Sequence, residues 1–152
     1  MSKLTGNNTY FEDFSVGQRI KHARGTTIDE IENQMLSKVV MNTAQGHWNE
    51  HAGLNGPTKG RIVFGFITAS MVIGLATQDT AENAIKELGL TNIRFKRPVA
   101  HGDTVYAYTE VLSTEPAERG GIVRFKHWGV NQDDKVVFEG ERIVHLKGRD
   151  EA

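Results

Sequence analysis

The stretch "FGFITASMVIGLATQ", residues 64–78, decides how the rest of the chain must be read. It is apolar almost all the way round, and it falls short of the roughly 20 residues that a membrane-spanning helix needs. A helix of this kind is buried on most of its surface inside a globular domain. Its small residues, Ala69, Ser70, Gly74 and Ala76, let other backbones come close. Such a helix needs a wrapper, and the sequence that follows supplies one.

"LTNIRFKRPV" (90–99), "DTVYAYTEVLS" (103–113), "GIVRFKHWGVN" (121–131) and "KVVFEGERIVHLK" (135–147) all read as strands. They are rich in Val, Ile, Thr and aromatic residues. Ile93/Phe95 and Val105/Ala107/Thr109/Val111 alternate with period two. "NQDDK" (131–135) is a hairpin turn, "TEPAERGG" (114–121) is a longer connection, and a polar linker separates the helix from the first of these strands. One antiparallel sheet has a face to cover. The simplest packing wraps the sheet around the apolar helix, which is the hotdog arrangement, a single α+β domain. Exposed sheet edges favour pairing with a second copy, so a homodimer or higher homo-oligomer is expected.

The remaining composition narrows the function classes. With 152 residues the chain has room for one domain with a real core. Its 18 basic and 19 acidic side chains leave a net charge of -1, so bulk electrostatics point to neither nucleic acid nor a membrane surface. The absence of cysteine excludes disulfides, thiolate metal sites and a cysteine nucleophile, and it fits a reducing cytoplasm. No signal-peptide core stands at the start and no apolar run reaches membrane-spanning length. Residues 1–9 are polar and expected to be flexible, with the folded domain over 10–148.

Upstream of the apolar helix, "YFEDFSVGQRIKH" (10–22) reads as a turn leading into a short strand around Gln18–Ala23. In "TIDEIENQMLSKVVM" (27–41), Ile28, Ile31, Met35 and Val39 fall on one face at helical spacing, which predicts a helix with that side buried. Thr27 with Glu30 suits a capping box. Between the two helices lies "MNTAQGHWNEH" (41–51), dense in proton-handling groups, followed by the loop-like "AGLNGPTKG" (52–60).

The segments "YFEDFSVGQRI", "MNTAQGHWNEHAG", "GRIVFGFITAS" and "IRFKRPVAHGDTVYAYTEV" resemble, in this order, those of MaoC-like hydratases and dehydratases. The resemblance runs from about Tyr10 to about Leu146. "NAIKELGLTNIRFKRPVAHGDTV" is especially similar to the branch that includes mesaconyl-CoA hydratases. The resemblance implies a hotdog fold and reversible addition of water to a 2-enoyl thioester of coenzyme A, with no metal and no redox cofactor. The family motif sets an Asp five residues before a His. Here the His falls on His47, while Asn42 stands at the Asp position, and Gln45-Gly46 replaces the usual Pro-aliphatic pair. Asn-Thr at the first two positions is also similar to the mesaconyl-CoA hydratase branch. The family's oxyanion glycine falls on Gly65, with Phe64 where an aromatic or His precedes it.

The residues suit that chemistry. Dehydrating a 3-hydroxyacyl thioester needs a base for the proton beside the carbonyl, an acid for the departing hydroxyl, and donors for the enolate-like oxygen. Imidazole changes charge near neutral pH, so His47 can act in both directions. The Asn42 carboxamide cannot be a base, but it can position water or the substrate hydroxyl. It can equally end a helix. Gly65 opens the apolar helix, where first-turn N–H groups lack partners and the helix dipole adds positive charge. Glu50 and His51 are nearby ionisable groups that also suit solvated or structural roles. Trp48 suits either a hydrophobic anchor or a surface that stacks on substrate. Arg94 and Arg97, with Lys59 and Lys96, are candidates for the coenzyme A phosphates, although charged strand faces are commonly just solvated.

His47 and His51 at i, i+4 raise a zinc reading. The surrounding glycines argue against a helix there and no third ligand is evident. Two further functions stay open: a hotdog thioesterase, for which Glu50 is the only acidic residue in the opening motif, and a non-catalytic acyl-CoA-binding subunit.

Overall fold

The computed structural model describes residues 9–151. Its strands are β1 (Arg19–Thr27), β2 (Ala84–Phe95), β3 (Thr104–Pro116), β4 (Gly121–Val130) and β5 (Val136–Leu146), and its helices are α1 (Glu30–Val39), α2 (Glu50–Asn55) and α3 (Gly65–Thr80). The strands form one antiparallel sheet in the order β1-β3-β4-β5-β2. The sheet wraps α3, giving the α+β hotdog arrangement. No helix among the described residues is long and apolar enough to cross a membrane. Of the segment expected to be flexible, residues 1–8 lie outside the described residues, while the Thr9 hydroxyl donates to the Asp79 carbonyl at 3.0 Å.

The packing follows from the two periods. Val105, Ala107, Thr109 and Val111 of β3 all point inward and are fully buried, as period-two alternation requires. Val105 and Ala107 share one core cluster with Ile67, Ala69 and Val72 of α3, also buried. The contact is close enough that a Cβ on Gly129 would stand 2.4 Å from the Val72 side chain, so only glycine fits on β4 under the helix. Each fully buried valine on this seam contributes roughly 1.5–3 kcal/mol. A second cluster, around Phe125, Val123, Val144 and Leu146, fills the far end of the sheet beneath Phe14.

Several local expectations are corrected by tertiary context. β1 runs on to Thr27, which pairs with Thr104 of β3 and cannot also cap a helix. The capping box of α1 is therefore built two residues later, from Asp29 and Glu32. The apolar face of α1 is not buried: Ile31, Met35 and Val39 are 77, 57 and 71 % exposed, while Asn33 and Ser37 on the opposite face are fully buried. Asn33 is satisfied there by hydrogen bonds, which removes the cost of burying it. The stripe Phe66, Ser70, Gly74 of α3 is also exposed, so that helix is not covered all round. What reads as a polar linker after α3 is the first half of β2, a mostly exposed edge strand whose bulges break the period-two pattern. Helical structure also occupies the junction where glycines argue against it: a 3₁₀ turn covers Gln45–His47 and α2 starts at Glu50, capped by the Asn49 side chain, which accepts from Ala52 N–H at 3.1 Å.

A buried polar chain crosses the core between α3 and the sheet. The His22 Nδ1 lies 2.6 Å from Asp79 Oδ2, its Nε2 lies 2.7 Å from the Thr109 hydroxyl, and that hydroxyl lies 2.8 Å from His127 Nδ1. The bonds run in one direction if both imidazoles are neutral. His127 Nδ1–H donates to Thr109, Thr109 donates to His22 Nε2, and His22 Nδ1–H donates to Asp79. His127 Nε2, which has no partner among the described residues, is then a bare lone pair rather than a stranded donor. Burial drives the neutral forms. It pushes His127 down to about 3, helped by the Arg142 charge. It also lowers His22, against the opposing pull of Asp79.

Candidate active site

The sequence around residue 47 folds into two short turns that return the chain toward α3. Asn42 starts the bend: its side-chain oxygen accepts from Ala44 N–H at 2.8 Å, and its carbonyl accepts from the Trp48 indole at 3.0 Å. The 3₁₀ turn then presents His47. The chain comes back through Arg61, whose guanidinium bridges Glu30 on α1 and Glu50 on α2. Ile62 N–H donates to Gly46 O at 3.2 Å and Val63 N–H to Val99 O at 2.8 Å, fixing the entry to α3.

His47 Nδ1 lies 3.0 Å from the carbonyl oxygen of Ile62. A carbonyl can only accept, so Nδ1 carries the proton and Nε2 keeps its lone pair. That is the tautomer a general base needs. The imidazole packs against Phe64 with ring centroids 5.3 Å apart. His47, Phe64 and Gly65 all line a cavity of about 500 Å³, together with Lys96 and Arg97 at the end of β2. Among the described residues no carboxylate lines it. At the start of α3, Ile67 and Thr68 N–H already turn back to the Phe64 carbonyl, so the Gly65 and Phe66 amides are the first-turn donors the helix cannot engage. A Cβ at Gly65 would crowd the Phe95 ring at 3.0 Å, a contact that fits only if the ring gives way.

The structure thus brings together five of the residues singled out by sequence: His47, Phe64, Gly65, Lys96 and Arg97. Asn42, Trp48 and Arg94 do not line this cavity. Asn42 organises the turn before His47, and its Nδ2 is buried with no partner among the described residues. Trp48 anchors that turn through its indole N–H. Arg94 donates to its neighbour's carbonyl, Ile93 O, at 3.1 Å. Glu50 is committed to Arg61, and His51 lies on α2 away from the cavity.

One residue at the heart of the site is not among the sequence candidates. Asn33, fully buried on the inward face of α1, contacts both the His47 turn and the start of α3. The signal was present: Asn33 and Ser37 are an i, i+4 polar pair opposite an apolar stripe. That pattern ordinarily marks the wet side of a helix.

Fold and site together define a hotdog domain of the MaoC-like type. The structure superposes on the MaoC-like dehydratase of Rhodospirillum rubrum with a TM-score of 0.82, covering 93 % of this chain and 99 % of that one at 22 % identity, a likeness that speaks for the fold. The family model described as mesaconyl-CoA hydratase matches residues 16–147, and the chain belongs to that family. It is 33 % identical over 130 residues to the mesaconyl-CoA hydratase of Haloarcula hispanica, covering 84 % of this chain but 36 % of that protein. It is 32 % identical over 141 residues to an (R)-specific enoyl-CoA hydratase of Rhodospirillum rubrum, covering 92 % of this chain and 93 % of that one. The chain therefore spans little more than a third of the first relative and nearly the whole of the second.

Proposed function

We propose that this domain is a hydro-lyase that adds water to, or removes it from, the 2,3 bond of an acyl-CoA thioester. The observation that carries the reading is the shared cavity of His47 and Gly65, a base with a free Nε2 facing a helix start that offers amide donors. The family membership and the names of the two relatives support it.

In the hydration direction, His47 Nε2 takes a proton from water as its oxygen bonds to C3. The C2=C3 π electrons move toward the thioester, whose oxygen gathers charge against the Gly65 and Phe66 amides. Delivery of the proton from His47 to C2 restores the carbonyl, so the elements of one water molecule are added. Asn42 contributes from outside the cavity by shaping the turn that presents His47, and Trp48 keeps that turn in place. Arg97 and Lys96, just past the end of β2, are the cations that meet the coenzyme A phosphates, with Arg94 near the end of that strand. Within this class a mesaconyl-type substrate, a branched dicarboxylic 2-enoyl thioester, is the narrower assignment. A cysteine-free chain acting on acyl-CoA suits the reducing cytoplasm.

The working unit is a homodimer. Among the described residues β2 pairs only with β5, so its other edge has no strand partner there, and it displays Ile85, Leu88, Leu90 and Phe95 at 37–46 % exposure. The opposite edge, β1, carries Arg19, Lys21 and Arg24, and no residue of that strand is an exposed large hydrophobic, so it offers less apolar surface for a partner.

The testing experiment is an absorbance assay of conjugated thioester across short, branched, dicarboxylic and long 2-enoyl-CoAs, with a thiol reagent added in parallel. Loss of conjugation without thiol release is expected. Thiol release would move the protein to the thioesterases, and acyl-CoA binding without either signal would make it a non-catalytic subunit.

A further inference from the structure

We propose that Asn33 is the positioning residue that holds the base and the oxyanion helix in one frame, an inference that rests on the hydratase reading of the site.

Its carboxamide is saturated. Nδ2 donates to the His47 carbonyl at 2.8 Å and to His101 Nε2 at 3.0 Å. Oδ1 accepts from the Phe64 amide at 3.0 Å and from the Ser37 hydroxyl at 3.4 Å. Two donors and two lone pairs are all that an Asn side chain has. It spends one donor on the turn that presents His47 and one acceptor on the residue that caps α3. These two segments lie on different elements, and the remaining direct hydrogen bonds between them both run through Ile62, whose carbonyl accepts from His47 Nδ1–H and whose N–H donates to Gly46 O. Asn33 therefore sets the separation between Nε2 and the first-turn amides without touching substrate.

Its chemistry admits no close substitute. Aspartate has the same shape and keeps an acceptor for Phe64 N–H, but it places a carboxylate oxygen where the His47 carbonyl needs a donor. Leucine fills the volume and makes none of the bonds. Buried polar groups stripped of one partner are left unsatisfied in low dielectric, so the turn shifts to relieve them. A misplacement on the order of 1 Å at a reacting group costs roughly 10²-fold in rate.

The test compares wild type with Asn33→Asp, checked for folding by circular dichroism and thermal melting. The expected result is kcat lowered about 10²-fold with KM changed by no more than about threefold. The ratio of variant to wild-type kcat should rise as pH falls, because a protonated carboxyl regains one donated bond. A folded Asn33→Asp protein with wild-type kcat overturns the proposal, as does a deficit confined to KM.

Two further measurements keep the question decidable. In the unmodified protein, the Asn33 carboxamide protons should exchange with solvent as slowly as core amides. Exchange at the rate of a free amide overturns the proposal even if the variant does not fold. If wild type turns over no 2-enoyl-CoA, the hydratase reading fails by itself. The position of Asn33 is then judged by that exchange rate and by whether the His47 ring resonances move in Asn33→Asp.

Discussion

The Nδ1 of His47 is held 3.0 Å from the backbone carbonyl of Ile62, and this one contact fixes both the tautomer and the aim of the imidazole. Because the acceptor is main chain, no side-chain substitution nearby can supply or remove it directly. The geometry makes His47 the only imidazole on the cavity wall among the described residues.

Replacing His47 with alanine is therefore expected to lower kcat by about 10²–10⁴-fold, the usual worth of a general acid–base group. His47 is only partly buried, so the melting temperature should change little. Hydration rates and a thermal melt on the same preparation check both halves, and unchanged turnover would reject His47 as the base.

Gly65 is constrained from outside the helix as well as from the cavity. A methyl group there would sit 3.0 Å from the Phe95 ring, which is itself 46 % exposed and can yield toward solvent. Gly65→Ala should therefore cost on the order of 1 kcal/mol in stability, the low end of overpacking penalties. If the first turn of α3 supplies the oxyanion donors as proposed, its rate loss should be much larger than that. Adding Phe95→Leu to the same chain should relieve the contact with the new methyl while keeping an apolar side chain against Phe66 and Phe138. A rate that recovers in parallel would assign Gly65 to packing alone.

The buried imidazoles predict an acid-sensitive fold. With His127 held at about 3, against an ordinary value near 6.5, the unfolded chain binds a proton over that interval which the folded chain refuses. Stability should thus be fully present above about pH 6.5 and fall by about 1.4 kcal/mol per pH unit below it from this residue, with His22 adding in the same direction. Urea titrations at pH 7.5, 6 and 5 measure the slope. His127→Phe, which keeps the ring and removes the titrating group, should flatten it. An unchanged slope in that variant would remove His127 from the explanation.

The open edge of β2 predicts the assembly. Leu88→Lys puts a charge on the apolar edge and should shift sedimentation from dimer to monomer, in the way that edge lysines block strand pairing. A wild-type protein that sediments as a monomer at micromolar concentration would refute the dimer outright.

Much of this organisation could be read directly from the residues. The all-round apolar helix, the period-two strands, the hairpin at 131–135 and the glycine at the helix start are local signals, each set by the chain's own geometry. The cluster around His47 was visible for the same reason, since its residues are adjacent in sequence. What the sequence did not disclose is mostly long-range. Asn33 lies 14 residues from His47, 31 from Phe64 and 68 from His101, and only packing brings them to one point. Its burial on α1 inverts the helix's apparent amphipathicity, leaving Ile31, Met35 and Val39 in solvent.

Sequence alone thus determined the core helix and its wrapper and singled out His47 as the candidate base, because hydrophobic period and side-chain chemistry are properties of consecutive residues. Tertiary structure alone decided which face of α1 goes inward, which tautomer His47 adopts, and which cations reach the cavity. Those outcomes depend on satisfying buried polar groups with partners from distant segments, and no local pattern encodes the partners.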